Sequence, residues 1–108
     1  MDKHGNRLEF LKKMLKEEPD DPFLNYALGL EYLKNSHNTI LAEIQFRKVT
    51  EHDPEYMAAF YQLGKLLQDQ TKITEALHYY RLGLEIAEKK KEPKAIAEFL
   101  EAIFLLED

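Results

Sequence analysis

The residues of this 108-residue chain that could carry chemistry are few and lie far apart. The chain has no cysteine, which excludes disulfide bonds, cysteine nucleophiles and thiolate metal ligands together. Its four histidines are dispersed over the sequence: His4, His37, His52 and His78. His78 lies three residues after Glu75, but no third ligand lies nearby at a helical spacing, so we interpret the histidines as surface residues.

Other catalytic patterns are missing as well. The single serine, Ser36, stands in a polar turn and not in a nucleophile elbow, and the sequence has no glycine-rich phosphate loop and no HExxH pair. Acidic residues are abundant, but a charged helix face in water explains them. The sequence therefore predicts no catalytic residue, no metal site and no cofactor, and we interpret the protein as a non-enzyme.

Charge limits the class of partner. Lys89, Lys90 and Lys91 form the one basic run, with Lys94 close by. Cations are favourable at the C-terminal end of a helix, and the alternative is a small docking spot for an acidic partner. The net charge of −5 offers no basic stripe for phosphates, so nucleic acid is not an expected partner. No segment resembles a signal peptide or a membrane span, and the expected location is cytoplasmic.

Two proline clusters divide the chain into segments that are apolar at spacings of three and four, which is typical of helices. Asp21 is a natural N-cap with Pro22 in the first helical position, and a second Asp-Pro pair occurs at Asp53-Pro54. Thr39 and Thr74 stand where side-chain caps would begin further helices. The pattern predicts six helices, at about 7–18, 22–35, 39–52, 55–70, 73–90 and 94–107.

A short motif occurs twice in the chain. In each copy a leucine-glycine pair is followed by an alanine and, four residues later, by an aromatic residue. The first copy is Leu28, Gly29, Ala42 and Phe46, and the second is Leu63, Gly64, Ala76 and Tyr80. The copies are 34 or 35 residues apart, and this period and pattern resemble the tetratricopeptide repeat family. The alternative is an unrelated helical bundle with ordinary core residues at these positions.

The resemblance implies an all-α fold of antiparallel helical hairpins, stacked as a short right-handed superhelix. It implies a single domain over 1–108, with an N-terminal half-repeat helix at 7–18, repeat 1 at 22–54, repeat 2 at 55–90 and a C-terminal capping helix at 94–107. The chain departs from the family pattern at three positions. Asn25 replaces a large apolar residue, Gly83 replaces a small alanine, and Glu88 stands where repeat 1 has Pro54.

The motif glycines are expected inside helices, where glycine costs about 1 kcal/mol relative to alanine. That cost makes sense where a neighbouring helix passes too close for a side chain. We expect Ala42 and Ala76 to supply the matching small surface on the second helix of each hairpin. We expect Phe46 and Tyr80 to fill the space between successive hairpins.

The resemblance also implies a function, which is to bind a peptide or helix of a partner protein in a concave groove lined by the first helix of each repeat. By position, the candidates are Phe23, Tyr26, Leu30 and Lys34 in repeat 1, and Ala58, Tyr61, Gln62, Lys65 and Asp69 in repeat 2. Aromatic and aliphatic side chains beside a lysine suit a peptide with a few apolar anchors. The alternative is that the last helix covers these residues.

One subclass of the family grips the terminal carboxylate of chaperone tails with lysines, asparagines and an arginine. Tyr26, Leu30 and Gln62 occupy the early positions of that clamp here, so this activity is not expected.

The last predicted helix is apolar on more than one side. One stripe should cover the preceding helix: Ile96, Phe99, Ile103 and Leu106. Leu100 and Phe104, one turn apart, form a second strip. Because a terminal cap normally has a polar outer face, we expect this strip to form a homodimer or to be covered by the partner.

Overall fold

The structure is a computed structural model that describes residues 3–35 and 37–107. Within these residues it contains six α-helices and no β-strand, which confirms the predicted all-α class. The helices are α1 (Lys3–Glu17), α2 (Pro22–Asn35), α3 (Thr39–His52), α4 (Met57–Asp69), α5 (Ile73–Lys90) and α6 (Pro93–Leu106). Ser36, which the sequence analysis placed in a turn, lies outside the described residues.

The helix ends differ from prediction at several places. The largest difference is at α1, which begins at Lys3 and not at residue 7. α4 begins at Met57, two residues later than predicted, and α6 begins with Pro93 itself in its first turn. Proline suits that position because its missing N–H is one that the first helical turn would leave unpaired.

Two compact units divide the chain after Pro54. In the first unit α2 packs against both α1 and α3, and in the second unit α5 packs against both α4 and α6. One cluster of buried side chains in the second unit is formed by Phe60, Leu67, Ala76, Tyr80, Ala87, Phe99 and Ile103. The assignment of residues 22–54 and 55–90 to two repeats stays a prediction.

The helix caps confirm one expectation and correct two. The Asp21 carboxylate accepts a hydrogen bond of 2.9 Å from the backbone N–H of Leu24, as an N-cap does, so α2 begins as predicted. α3 is capped by Asn38 and not by Thr39, because the Asn38 side chain accepts from the N–H of Leu41. Thr74 does not cap α5, since it is the second residue of a helix with no side-chain cap.

The motif glycines are contacted by aromatic rings. A β-carbon built at Gly29 would lie 2.6 Å from a ring carbon of Phe46, and one built at Gly64 would lie closer still to the ring of Tyr80. The prediction of a close helix approach is therefore confirmed. The three atoms nearest each glycine belong to the aromatic ring of its own hairpin, and the part expected of Ala42 and Ala76, both completely buried, stays a prediction.

Asn25 has a structural role that its departure from the family pattern did not reveal. It is only 1% exposed, and its side-chain amide donates to the backbone carbonyl of Pro19 at 3.0 Å and of Asp21 at 2.9 Å. A buried amide is stable where its donors are satisfied. Through these two hydrogen bonds Asn25 connects the segment between α1 and α2 to the first turn of α2.

Candidate functional site

The first unit presents four of the predicted binding residues on α2. Phe23 has 66% of its surface exposed, and Lys34 is exposed at the other end of the helix. Tyr26 and Leu30 lie between them and are half-buried. This face therefore offers a short apolar surface with one cation near the helix C-terminus, where the helix dipole also favours positive charge.

The second unit presents the other five predicted residues on α4, and their character is more polar. Ala58, Lys65 and Asp69 are exposed, while Tyr61 and Gln62 are half-buried. The face combines a small apolar residue, an amide and charges of both signs. It can therefore donate and accept hydrogen bonds along a bound segment.

Tyr26 and Tyr61 occupy equivalent positions, each four residues after the first residue of its helix. The Tyr26 ring tilts by 48° against Phe46 with ring centroids 5.5 Å apart, and the Tyr61 ring tilts by 52° against Tyr80 at 5.8 Å. In both units the second helix of the hairpin thus holds a half-buried tyrosine in place. An immobilised aromatic side chain loses little conformational entropy on binding.

Tyr61 is also contacted from α6. The Phe99 ring meets it edge-on, at 71° and 5.7 Å. The alternative that the last helix covers the predicted surface therefore holds in part for Tyr61, which is half-buried in the second unit, whereas Lys65 and Asp69 remain exposed.

Tyr80 is a buried structural residue and not a candidate for chemistry. Its hydroxyl donates a hydrogen bond of 2.8 Å to the side-chain oxygen of Gln68, and 1% of its surface is exposed. Burial raises the pKa of Tyr80 to about 12, and the neighbouring Tyr61 and Asp69 add to this shift. The phenol therefore stays protonated at physiological pH.

Two lysines of the basic run at the end of α5 are paired within the second unit. The Lys89 ammonium lies 3.1 Å from one carboxylate oxygen of Glu55, and the Lys90 ammonium lies 3.7 Å from the other. The hydrogen bond and charge of Lys89, with the charge of Lys90, lower the pKa of Glu55. Both lysines are therefore already engaged, which weakens the alternative of a docking spot for an acidic partner.

The strip on α6 is accessible. Leu100 is 50% exposed and Phe104 is 77% exposed, and together with Glu101, Ile103 and Glu107 they line a shallow depression. Leu105 is also exposed, by 69%. The predicted stripe on the other side of the helix is buried at Phe99 and Ile103. The apolar character of α6 on two sides, expected from the sequence, is therefore present.

In the described part of the chain, the side chains suited to metal binding are not brought together. Among residues 3–35 and 37–107 there is no group of three or more histidine and acidic side chains that could hold a metal ion. The His78 ring instead meets the Tyr79 ring edge-on at 5.4 Å, and His52 lies 3.3 Å from Asp20. In the same part of the chain no helix has the length and apolar character needed to cross a bilayer.

Glu31 is a buried charge that the sequence analysis did not identify. It is 4% exposed, and one of its carboxylate oxygens lies 3.3 Å from the guanidinium of Arg7 on α1. Buried charges need such a partner, because desolvation alone is costly. The signal that could have found it is a glutamate between the apolar neighbours Leu30 and Tyr32 of a helix.

Comparisons with known proteins agree with this architecture. A TPR repeat-containing protein of Pseudomonas aeruginosa is 32% identical over 80 residues, which cover 74% of this chain and 75% of that protein. The solution structure of a tetratricopeptide repeat domain protein from Salinibacter ruber matches with a TM-score of 0.76 and 35% identity, over 82% of this chain and 89% of that chain. A protein from Bordetella parapertussis matches with a TM-score of 0.76 and 27% identity, over 92% and 85%.

No model of a protein family matches the sequence. The Pseudomonas relative and the Salinibacter structure are nevertheless both named as tetratricopeptide repeat proteins, the repeat that the spacing of the glycines and aromatic residues indicates, and this fold suggests a protein-interaction scaffold. The chain belongs to the tetratricopeptide repeat family.

Proposed function

We propose that this protein binds a segment of another polypeptide on the exposed faces of α2 and α4, and that it does so without catalysis. The observation that supports this proposal is the pair of tyrosines, Tyr26 and Tyr61. Each is half-buried, and each is held by the aromatic ring of the following helix. Aromatic side chains that are immobilised before binding are common anchors at protein interfaces.

The chemistry of the two faces indicates what the bound segment carries. On α2, Phe23 and Leu30 favour an apolar or aromatic side chain, and Lys34 favours an acidic group towards the helix C-terminus. On α4, Gln62 can bond to a peptide backbone, while Lys65 and Asp69 favour charged neighbours of opposite sign. The partner is therefore a polypeptide with few apolar anchors and mixed polar residues. We also propose that the protein is cytoplasmic.

The test begins with peptides selected from a random display library on the wild-type protein. Phe23→Ala should weaken the selected peptides by about tenfold or more, because an aromatic anchor contributes more than about 1.4 kcal/mol. Since Phe23 is 66% exposed, this change should leave folding intact. Ile40→Ala is the matched control, because Ile40 is equally apolar and 74% exposed but lies on α3.

Chemical-shift changes of the protein on addition of the peptide identify the peptide-binding surface independently. Shift changes in α2 and α4, with Lys65→Glu lowering the association rate, support the proposal, because a charge at the rim of an interface steers association. Shift changes confined to α5 near His78 and Arg81, or equal losses for Phe23→Ala and Ile40→Ala, would overturn it.

A further inference from the structure

A second surface, separate from the faces of α2 and α4, is open on α6. Its centre is the α6 strip, which we define as Leu100 and Phe104, at 50% and 77% exposure. Two large apolar side chains one turn apart on a helix are unfavourable in water unless something covers them. The register of the helices indicates what kind of element fits there.

α6 has the register of α2 and α4. Pro22, Met57 and Pro93 are the first residues of these three helices. Seven residues further on are Gly29, Gly64 and Leu100, respectively. At Gly29 and Gly64 this position receives the aromatic ring of the next helix in the hairpin. α2 packs against α3, and α4 packs against α5, through the face that contains this position. The α6 strip lies on the corresponding face of α6.

α1 has the complementary register. Leu11 lies eight residues before Pro19, as Phe46 lies eight residues before Pro54, so α1 corresponds to α3. Three residues after Phe46, Val49 is completely buried, whereas its counterpart in α1, Met14, is 38% exposed. With Phe10, 60% exposed one turn earlier, Met14 forms the α1 strip. α1 thus has the register of a second helix. Phe10 is the counterpart of Tyr79, which contacts Phe60 on the first helix of its hairpin, so part of the face that receives a first helix is open on α1.

The charges of the two helices are complementary. α1 carries five lysine and arginine residues and two acidic residues between Lys3 and Glu17. α6 carries one basic residue and two acidic residues, and the α6 strip is bordered by Glu101 and by Glu107, which is paired with Arg81. Two α6 strips facing each other would bring their Glu101 carboxylates together, whereas an α1 strip would bring lysines to Glu101. Opposite charges favour the second pairing.

We propose that the α6 strip binds the α1 strip of a second copy of this chain, so that the two helices complete a hairpin between molecules. The contact joins two different surfaces. Two copies that form it once each keep one strip free for a further copy, which produces open or ring-shaped assemblies, whereas two copies that form it twice make a closed dimer. The proposal concerns surfaces other than the peptide-binding faces, so each can fail without the other.

The experiment uses two double variants of the full chain and follows their assembly by sedimentation over a range of concentrations. Leu100→Glu with Phe104→Glu disables the α6 strip, and Phe10→Lys with Met14→Lys disables the α1 strip. The wild type should form species larger than a monomer, and each variant alone should lose this assembly. An equal mixture of the two variants should form a one-to-one complex through one intact strip on each.

The matched control is Ile40→Glu with Ile44→Glu, which alters two exposed isoleucines one turn apart on α3 and should assemble like the wild type. Circular dichroism should show unchanged helicity in all three variants, because every altered residue is exposed. Assembly of the α1 variant alone would indicate a symmetric contact between α6 strips and overturn the proposal. A monomeric wild type, or a mixture that stays monomeric, would overturn it as well.

Discussion

Gly83 on α5 lies directly against the aromatic ring of Phe99 on α6. A β-carbon at Gly83 would come within 3.0 Å of three ring carbons of Phe99. Gly83 departs from the family pattern, in which an alanine is usual, but the structure gives it the same role as Gly29 and Gly64. In all three cases a glycine inside one helix makes room for an aromatic ring on the next helix.

This role predicts that Gly83→Leu destabilises the protein by about 1–3 kcal/mol or more, because the ring of Phe99 is buried and cannot move aside. The gain in helix propensity, about 1 kcal/mol, offsets only part of that cost. Glu88→Leu, at an exposed position of the same helix, should change the free energy of unfolding by less than about 0.5 kcal/mol. Urea denaturation measures both, and equal values would mean that the contact is unimportant.

The Phe46 ring contacts both Gly29 and Tyr26 in the first unit, so its removal should lower the stability of that unit. Phe46→Ala is expected to lower the free energy of unfolding by about 3–5 kcal/mol, since the fully buried ring leaves a cavity. Hydrogen exchange should show that amides of α2 and α3 lose more protection than amides of α5 and α6. Ile44→Ala, an exposed position on the same helix, serves as the control. Uniform loss of protection over all six helices would contradict this prediction.

The sequence predicted the helices well because their information is local. Apolar spacing, the proline clusters and the cap at Asp21 are all readable within a few residues. The contacts of Gly83 and Asn25 were missed because each depends on a partner that the repeat pattern does not specify. At Gly83 the partner is Phe99 on another helix, and at Asn25 it is a pair of backbone carbonyls.

The candidate binding residues show the same limit. Their positions on α2 and α4 follow from the repeat period, since equivalent residues lie 35 positions apart. Their accessibility does not follow from the repeat period, because it depends on side chains from other helices. Phe99 contacts Tyr61 in this way, so Tyr61→Ala would disturb packing as well as binding.

Asn25 provides a test of a buried polar residue in a position where the family usually has an apolar one. Asn25→Ala removes the donor for the carbonyls of Pro19 and Asp21, and we expect a loss of about 1–3 kcal/mol in the free energy of unfolding. Asn25→Leu should also destabilise, although leucine restores the usual pattern. If chemical denaturation finds Asn25→Leu as stable as the wild type, the two hydrogen bonds contribute nothing net.

Tyr80 links stability to pH at alkaline values. Its ordinary pKa is 10.0, and burial raises the pKa of Tyr80 to about 12 in the folded protein. The folded state therefore holds the phenolic proton more tightly than the unfolded state does. This contribution to stability is complete below pH 10 and disappears as the pH rises through about 12. A shift of this size corresponds to about 1–3 kcal/mol.

Tyr80→Phe separates this contribution from the others. At pH 8 the variant should be less stable than the wild type by about 1 kcal/mol, because the Gln68 oxygen loses its donor. Between pH 10 and 12 the wild type should lose more stability than the variant, so that the difference between them narrows. Urea denaturation at several pH values measures this narrowing, and ultraviolet titration should show one fewer late-titrating phenol in Tyr80→Phe. A wild type whose phenols all ionise near pH 10 would contradict the burial of this hydroxyl.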